Sequence, residues 1–302
     1  MSRILLTGKT GQIGWELQRA LAPLGELAAP GRGEMDLADP DSIRSAIRQA
    51  RPEIIVNAAA FTAVDEVETR VEQAMQVNAT APGIIAEEAK RSGALLIHYS
   101  TAHIFDGSSK HPYAEDDPPH PLNIYGRSKL EGERAVAGCG GRHLILRASW
   151  IYSLRSTNFL LAILKLARER GELGVVDDQV GTPTWARSIA EATAQIIKAT
   201  GRMAPCAGIF HISATGSVSR FGFAQRIVAM ARDVSGKQIP WAVVKTIKTA
   251  EYSLPARRPP YCVLSTEKMR REFGIELKNW ESDLRKCLDE LAAHGPEAYA
   301  SR

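Results

Sequence analysis

The segment "YGRSKLEGE" sets Tyr125 and Lys129 four residues apart, a spacing that puts both side chains on one face of a helix. An ammonium beside a phenol favours the phenolate, so the hydroxyl becomes a better proton donor or acceptor for a carbonyl/alcohol pair. That spacing is common, and its weight comes from what accompanies it. Upstream, "LIHYSTAHIFDG" starts as the apolar run of a buried strand and ends in Ser100 and Thr101, whose hydroxyls can hold a substrate carbonyl while Tyr125 supplies the proton. A Ser-Thr strand end can also be turn chemistry alone.

Near the start, "TGKTGQIG" places Gly8, Gly11 and Gly14 between an apolar run and a helical pattern. Glycine permits positive φ and close approach of a pyrophosphate, and free N–H groups at a helix N-terminus favour its charge, so the reading is a dinucleotide site. A carboxylate at the end of the second strand would meet a ribose hydroxyl of NAD, and a cation there would meet the 2′-phosphate of NADP. The stretch "LAAPGRGEMDLAD" offers Arg32 for the phosphate and, further on, Asp36, which could instead meet adenine; an exposed loop arginine is the plainer alternative. In "NAAAFTAVDEVE" the small side chains Ala58, Ala59 and Ala60 follow Asn57 at a strand's carboxyl end, where they leave room for a cofactor or pack a helix closely.

These residues need a parallel sheet to bring them to one edge. "RILLT", "ELAAP", "EIIVNAAA", "ALLIHYS" and "HLILRAS" read as strands. Helices fall between them at "WELQRALAPLG", at "DPDSIRSAIRQARP" with Asp39 or Asp41 near the N-cap, and from about Val71 to Ser92. Strands alternating with helices imply parallel pairing. The expected fold class is α/β, a Rossmann-like doubly wound parallel sheet with a smaller, mostly C-terminal substrate-binding lobe. Residues 1–150 are assigned to dinucleotide binding, with a return of the chain near 175–212, and residues 151–302 mainly to the substrate lobe.

Composition narrows the function. The 302 residues are 44% hydrophobic and 24% charged with a formal net charge of +4, so folding throughout is expected and nucleic acid is not called for as a partner. Cys139, Cys206, Cys262 and Cys287 are scattered without a C-x-x-C pair, which argues against a zinc site and a disulfide framework and fits a reducing cytoplasm. The first apolar run is too short for a secretory segment and no later stretch is a clean membrane span, so neither secretion by that route nor membrane insertion is expected. His98, His111 and His120 show no metal-like grouping and read as structural or exposed.

In order along the chain, "GKTGQIGWEL", "VNAAAFTAVDEVE", "HYSTAHIFDG", "PLNIYGRSKLEGE", "LRASWIY", "DDQVGTPT" and "PARRP" resemble the dTDP-4-dehydrorhamnose reductase family of extended short-chain dehydrogenases/reductases. The resemblance implies hydride transfer from NADPH, or NADH, to C4 of a dTDP-linked 4-keto-6-deoxyhexose, giving dTDP-L-rhamnose. It implies that Tyr125 is the acid, that Lys129 lowers its pKa and binds the nicotinamide ribose, and that Thr101 holds the 4-oxygen. Gly8, Gly11, Gln12 and Ile13 would line the pyrophosphate, Asp36 and Leu37 the adenine, and Trp150 and Arg257 the sugar nucleotide.

Departures from the family pattern bear on the sugar. Ala102 and His103 stand where the family has Asp and Tyr, and Glu66 where it has Lys. His103 could pack on the sugar as a replacement ring or pack only against its loop, and Ala102 could open room for another hexose. Members of the family can also join subunits through a metal held by acidic residues, which would allow a homodimer. Glu16 is retained but Arg187 stands where another acid would fall, so no metal is expected. The alternatives are a 4-ketoreductase for a different nucleotide-linked deoxysugar and a cofactor-binding regulatory subunit without turnover.

Overall fold

The computed structural model describes residues 2–200, 207–235 and 240–294. Cys206 and the last residues of the lobe assigned to 151–302 lie outside them. The first strand, β1 (Ser2–Thr7), alternates faces: Ile4 and Leu6 point into one apolar layer, and Leu5 into the other. The same division runs through β3 (Ile54–Asn57), β4 (Leu95–Thr101) and β5 (His143–Ala148). Both faces are apolar because both are covered, as expected of a parallel sheet between helical layers.

With β2 (Gly25–Ala28) on one edge and the strand Ala207–His211 on the other, the main sheet has the order Ala207–His211, β5, β4, β3, β1, β2, with every pairing parallel. One face carries α1 (Gln12–Leu21) and the helix Ala186–Thr200. The other carries α2 (Pro40–Ala50), whose N-cap Asp39 accepts from the Asp41 N–H, and α5 (Ala81–Ser92). The chain thus rejoins the sheet at Ala207–His211, whereas Glu172–Val176 pairs with Val243–Ile247 in a separate two-stranded sheet. Around that second sheet the helices Phe159–Glu169, Arg220–Ser235 and Trp280–His294 share an apolar core with Trp185 and Trp241.

One expected helix is broken. After the short α3 (Val64–Val67), the chain between Val71 and Ser92 forms α4 (Val71–Met75), a π-helical turn at Gln76–Thr80 and then α5. Asn78 accounts for the wide turn: its side chain is buried and both accepts from the Phe61 N–H and donates to the Phe61 carbonyl and to Ser128 Oγ. A buried amide satisfied on both ends pins the turn to the segment after β3 and to α6 (Ile124–Gly138).

The helix α6 carries the Tyr125/Lys129 pair, and two glycines let it lie against its neighbours without a gap. A Cβ at Gly126 would sit 2.2 Å from the His103 carbonyl oxygen, and one at Gly132 would sit 2.1 Å from that of Asn78. Asn123 caps the helix through the Gly126 N–H (2.8 Å), and the Glu68 carboxylate accepts from the Ile124 N–H (2.8 Å). Lower down, Glu133 receives a two-pronged bond from Arg147 of β5 (3.0 and 2.8 Å), with both side chains buried. Among the described residues no helix is long and apolar enough to cross a membrane.

The tight seat gives a direct test. Gly132→Ala must push α6 away from the Asn78 backbone and should lower stability by about 1–3 kcal/mol, the usual cost of overfilling a packed site. Denaturant unfolding of the variant beside the wild type measures it, and an unchanged midpoint would show that α6 is free to shift.

Candidate active site

The carboxyl ends of β1, β3 and β4 meet at one edge of the sheet, and the residues with chemistry emerge there. In the turn after β1, Gly8 has φ +75°, and a Cβ on it would lie 2.7 Å from the Ala59 nitrogen. Gly14 is equally committed, since its Cβ would come within 2.0 Å of the Gly8 oxygen. Gly11 is the N-cap of α1 and has no side chain to cap it, so the first-turn N–H groups of Gln12 and Ile13 meet no capping oxygen. Gln12 accepts a bond from Ser153 Oγ at 3.1 Å, and Ile13 is buried in the core. Ala58, Ala59 and Ala60 are half-buried beside this turn.

The loop after β2 is less uniform. Arg32 is exposed and has no ion pair among the described residues. Lys9, a residue the sequence pattern did not single out, reaches the same loop: its Nζ is 4.0 Å from Glu34 and would be 3.8 Å from a Cβ on Gly31. Asp36 Oδ1 accepts from the Ala38 N–H at 2.9 Å, and Leu37 packs half-buried on the apolar layer. Glycine backbone against Ala59, an uncapped helix start and two cations beside the next loop suit a dinucleotide bearing an extra phosphate.

Thr101, Tyr125 and Lys129 come together from β4 and α6. Thr101 is buried, accepts from the His103 N–H (3.1 Å) and lies beside the Tyr125 hydroxyl, whose proton affinity it lowers. Burial raises the Tyr125 hydroxyl above the usual phenol range, and Thr101 draws it partly back. The Lys129 ammonium donates to the Tyr99 carbonyl at 2.7 Å and lies 3.4 Å from His98 Nε2. Tyr125 is held protonated, the form a general acid needs.

His98 was read from sequence as structural or exposed, and it is fully buried against Lys129. Period-two alternation puts it on the same face of β4 as Ser100, which is the signal that could have found it. A chain of contacts continues behind it, Asn57 Nδ2 to His98 Nδ1 at 3.1 Å and Thr7 Oγ1 to Asn57 Oδ1 at 2.6 Å. Desolvation holds His98 neutral, so one ring nitrogen donates and the other accepts. If Nδ1 accepts from Asn57, Nε2 carries the hydrogen and faces a neutral Lys129 amine. If Lys129 is charged, Nε2 accepts and Nδ1 donates to an amide turned over. The same heavy atoms therefore serve both charge states of the lysine.

The remaining expected residues separate. Ser100 Oγ is buried without a partner at this edge. Ala102 is buried in an apolar cluster with Ile104, Phe105 and Leu130. His103 stands edge-on to Tyr125 with ring centroids 5.6 Å apart, and its Nδ1 lies 3.3 Å from Asn123 Nδ2. Burial, with the charges of Arg220 and Arg258, pushes it down to about 3, so it is neutral at physiological pH. Glu66 faces solvent and pairs with Arg70 at 3.4 Å. Trp150, at φ +41°, lies beneath Arg220, and the Arg257 side chain is exposed while its carbonyl accepts from Asn123 (2.7 Å). Glu16 and Glu290 are both bonded by Arg187, which occupies that carboxylate pair with a guanidinium.

A parallel sheet with a glycine turn after its first strand, and a tyrosine-lysine helix after its fourth, defines the architecture of the short-chain dehydrogenases/reductases. More narrowly, residues 1–293 match the family described as RmlD substrate binding domain, and the chain belongs to that family. It is 45% identical over 295 residues to a dTDP-4-dehydrorhamnose reductase of Burkholderia thailandensis, covering 96% of this chain and 99% of that one. It is 42% identical over 294 residues to the enzyme of that name from Escherichia coli K12, covering 95% and 97%. The crystal structure of dTDP-4-dehydrorhamnose reductase from Bacillus anthracis in complex with NADP superposes with a TM-score of 0.88 at 30% identity, covering 96% and 99%. A UDP-glucose 4-epimerase of Thermotoga maritima, at 16% identity and a TM-score of 0.78, shares the fold.

Burial drives Lys129 down to about 8 from 10.5, partly offset by Glu133. Between those pH values the unfolded chain binds more protons at this site than the folded one, so stability from this group rises with pH across the window. Compared with Lys129→Met, the wild type should gain up to about 3 kcal/mol between pH 8 and 10.5, as followed by denaturant unfolding at a series of pH values. A constant difference would mean that the buried amine keeps an ordinary affinity for its proton.

Proposed function

We propose that this protein is a dTDP-4-dehydrorhamnose reductase, reducing the C4 ketone of dTDP-4-dehydro-6-deoxy-L-mannose to dTDP-L-rhamnose with NADPH, or with NADH. The observation that carries the reading is the joining of Thr101, Tyr125 and Lys129 at the sheet edge that also holds the Gly8–Gly11 turn. Family membership and the names of the full-length relatives support the choice of substrate.

In this reading Gly8, Gly11, Gln12 and Ile13 face the pyrophosphate, Ala58, Ala59 and Ala60 leave the dinucleotide room, and Arg32 with Lys9 meets the ribose phosphate. Asp36 and Leu37 border the adenine. The bound nicotinamide cofactor supplies the hydride that forms the new C–H bond at C4. Tyr125 gives its proton to the carbonyl oxygen as the C=O π bond opens, and Thr101 holds that oxygen by a hydrogen bond. Lys129, fixed by Tyr99 and His98, orients the ribose and steadies the tyrosinate left behind. Ser100, Ala102, His103, Trp150 and Arg257 surround the sugar nucleotide. The reaction is assigned to the cytoplasm, and a homodimer is compatible with it.

Tyr125→Phe tests the assignment. Oxidation of NADPH in the presence of dTDP-4-dehydro-6-deoxy-L-mannose should fall by about 100-fold or more, the usual worth of a general acid, with cofactor affinity within about twofold of wild type. Unchanged turnover would remove Tyr125 from the chemistry. NMR of the wild-type product at C4 distinguishes rhamnose from another hexose, and cofactor binding without any oxidation would instead mark a regulatory subunit.

A further inference from the structure

The arginines of this protein are not equivalent. Arg258 is spent on Asp65, which it meets through two nitrogens at 2.9 and 2.6 Å. Arg147 is spent on Glu133, and Arg187 on Glu16 and Glu290. Arg257 lies exposed on the rim. Arg220 differs from all of these. Its guanidinium carbon sits 3.8 Å from the centre of the Trp150 ring and 4.9 Å from that of Phe159, and no acceptor in the described residues meets its N–H groups.

A half-buried guanidinium without a carboxylate gives up part of its hydration with no anion of the protein to replace it. Nor does its place favour it, since it is the first residue of the helix Arg220–Ser235, the end at which the backbone dipole disfavours a cation. The aromatic contacts hold the planar group through its face and leave the N–H groups on its edge for an acceptor in the plane. Its charge is felt across the cleft, where with Arg258 it helps keep His103 neutral, and His103 in turn stands against Tyr125. Two cations and a neutral imidazole thus face the space next to the acid. Of the two cations, only Arg220 lacks an anion of its own.

We infer that Arg220 is the diphosphate-binding residue of the substrate site, donating from the edge of its stacked guanidinium to phosphate oxygens of a nucleoside diphosphate whose sugar lies at Tyr125. This rests on the reading of the substrate as a nucleotide-linked sugar. Trp150 is the platform: it fixes the plane of the guanidinium before the ligand arrives, so little side-chain freedom is lost on binding.

The test is calorimetric binding of dTDP and of thymidine to the full chain, with Arg220→Gln beside wild type. The variant should bind dTDP about 10- to 100-fold more weakly, as expected for lost charge-assisted bonds, while thymidine affinity stays within about twofold. KM for the keto sugar should rise with kcat little changed, and Arg220→Lys should recover part of the loss because it keeps the charge. Equal dTDP affinity in a folded Arg220→Gln overturns the inference. If that variant does not fold, Arg220→Lys and wild type decide: a wild type that binds dTDP no more tightly than thymidine also overturns it. A wild type that reduces the sugar while Arg220→Gln keeps full dTDP affinity leaves the reductase reading standing and removes only this role. Strong, Arg220-dependent dTDP binding without reduction does the reverse.

Discussion

Everything at the site depends on how closely α6 can approach β4. Thr101, Tyr125 and Lys129 are divided between a strand end and a helix, and their reach is short. Gly126 and Gly132 remove the atoms that would hold the helix off, and the buried Arg147–Glu133 pair fixes its far half to β5. Once α6 is seated, Lys129 cannot reach water, so its cation must be served by the Tyr99 carbonyl and by His98. The low proton affinity of Lys129 and the neutral state of His98 both follow from that one packing constraint.

The same constraint explains why the polar groups behind the site form a line and not a cluster. Thr7, Asn57 and His98 belong to three neighbouring parallel strands, and in-register pairing puts their side chains at successive positions across the sheet. Asn57 pairs directly with Thr7 on one side and with His98 on the other. A line of this kind can reverse its hydrogen-bond direction without moving heavy atoms. It therefore tolerates both states of a lysine whose affinity for a proton lies near neutrality.

The second lobe meets the first through charge as well as apolar contact. Arg258 and Ala256 of the proline-rich segment bind Asp65, and the Arg257 carbonyl takes a bond from the cap of α6. Asn123 thus serves three elements at once: the first turn of α6, the His103 ring and the loop from the far end of the chain. The loop of the second lobe and the first turn of the helix bearing Tyr125 are positioned by one amide.

Sequence by itself determined the alternation of strands and helices, the glycine turn, and the Thr101, Tyr125 and Lys129 set, because each is written in local spacing and in side-chain type. It could not show where a side chain's hydrogen bonds go. His98 reads as a strand residue like any other until α6 is laid on it, and the break at Asn78 comes from partners 17 and 50 positions away. The fates of Ala102, Glu66, Arg258 and Arg220 were likewise decided by tertiary packing. They became a core methyl, a solvated ion pair, a locked salt bridge and an unpartnered cation according to the neighbours that distant segments supplied, so that the same residue type, arginine, met two different ends.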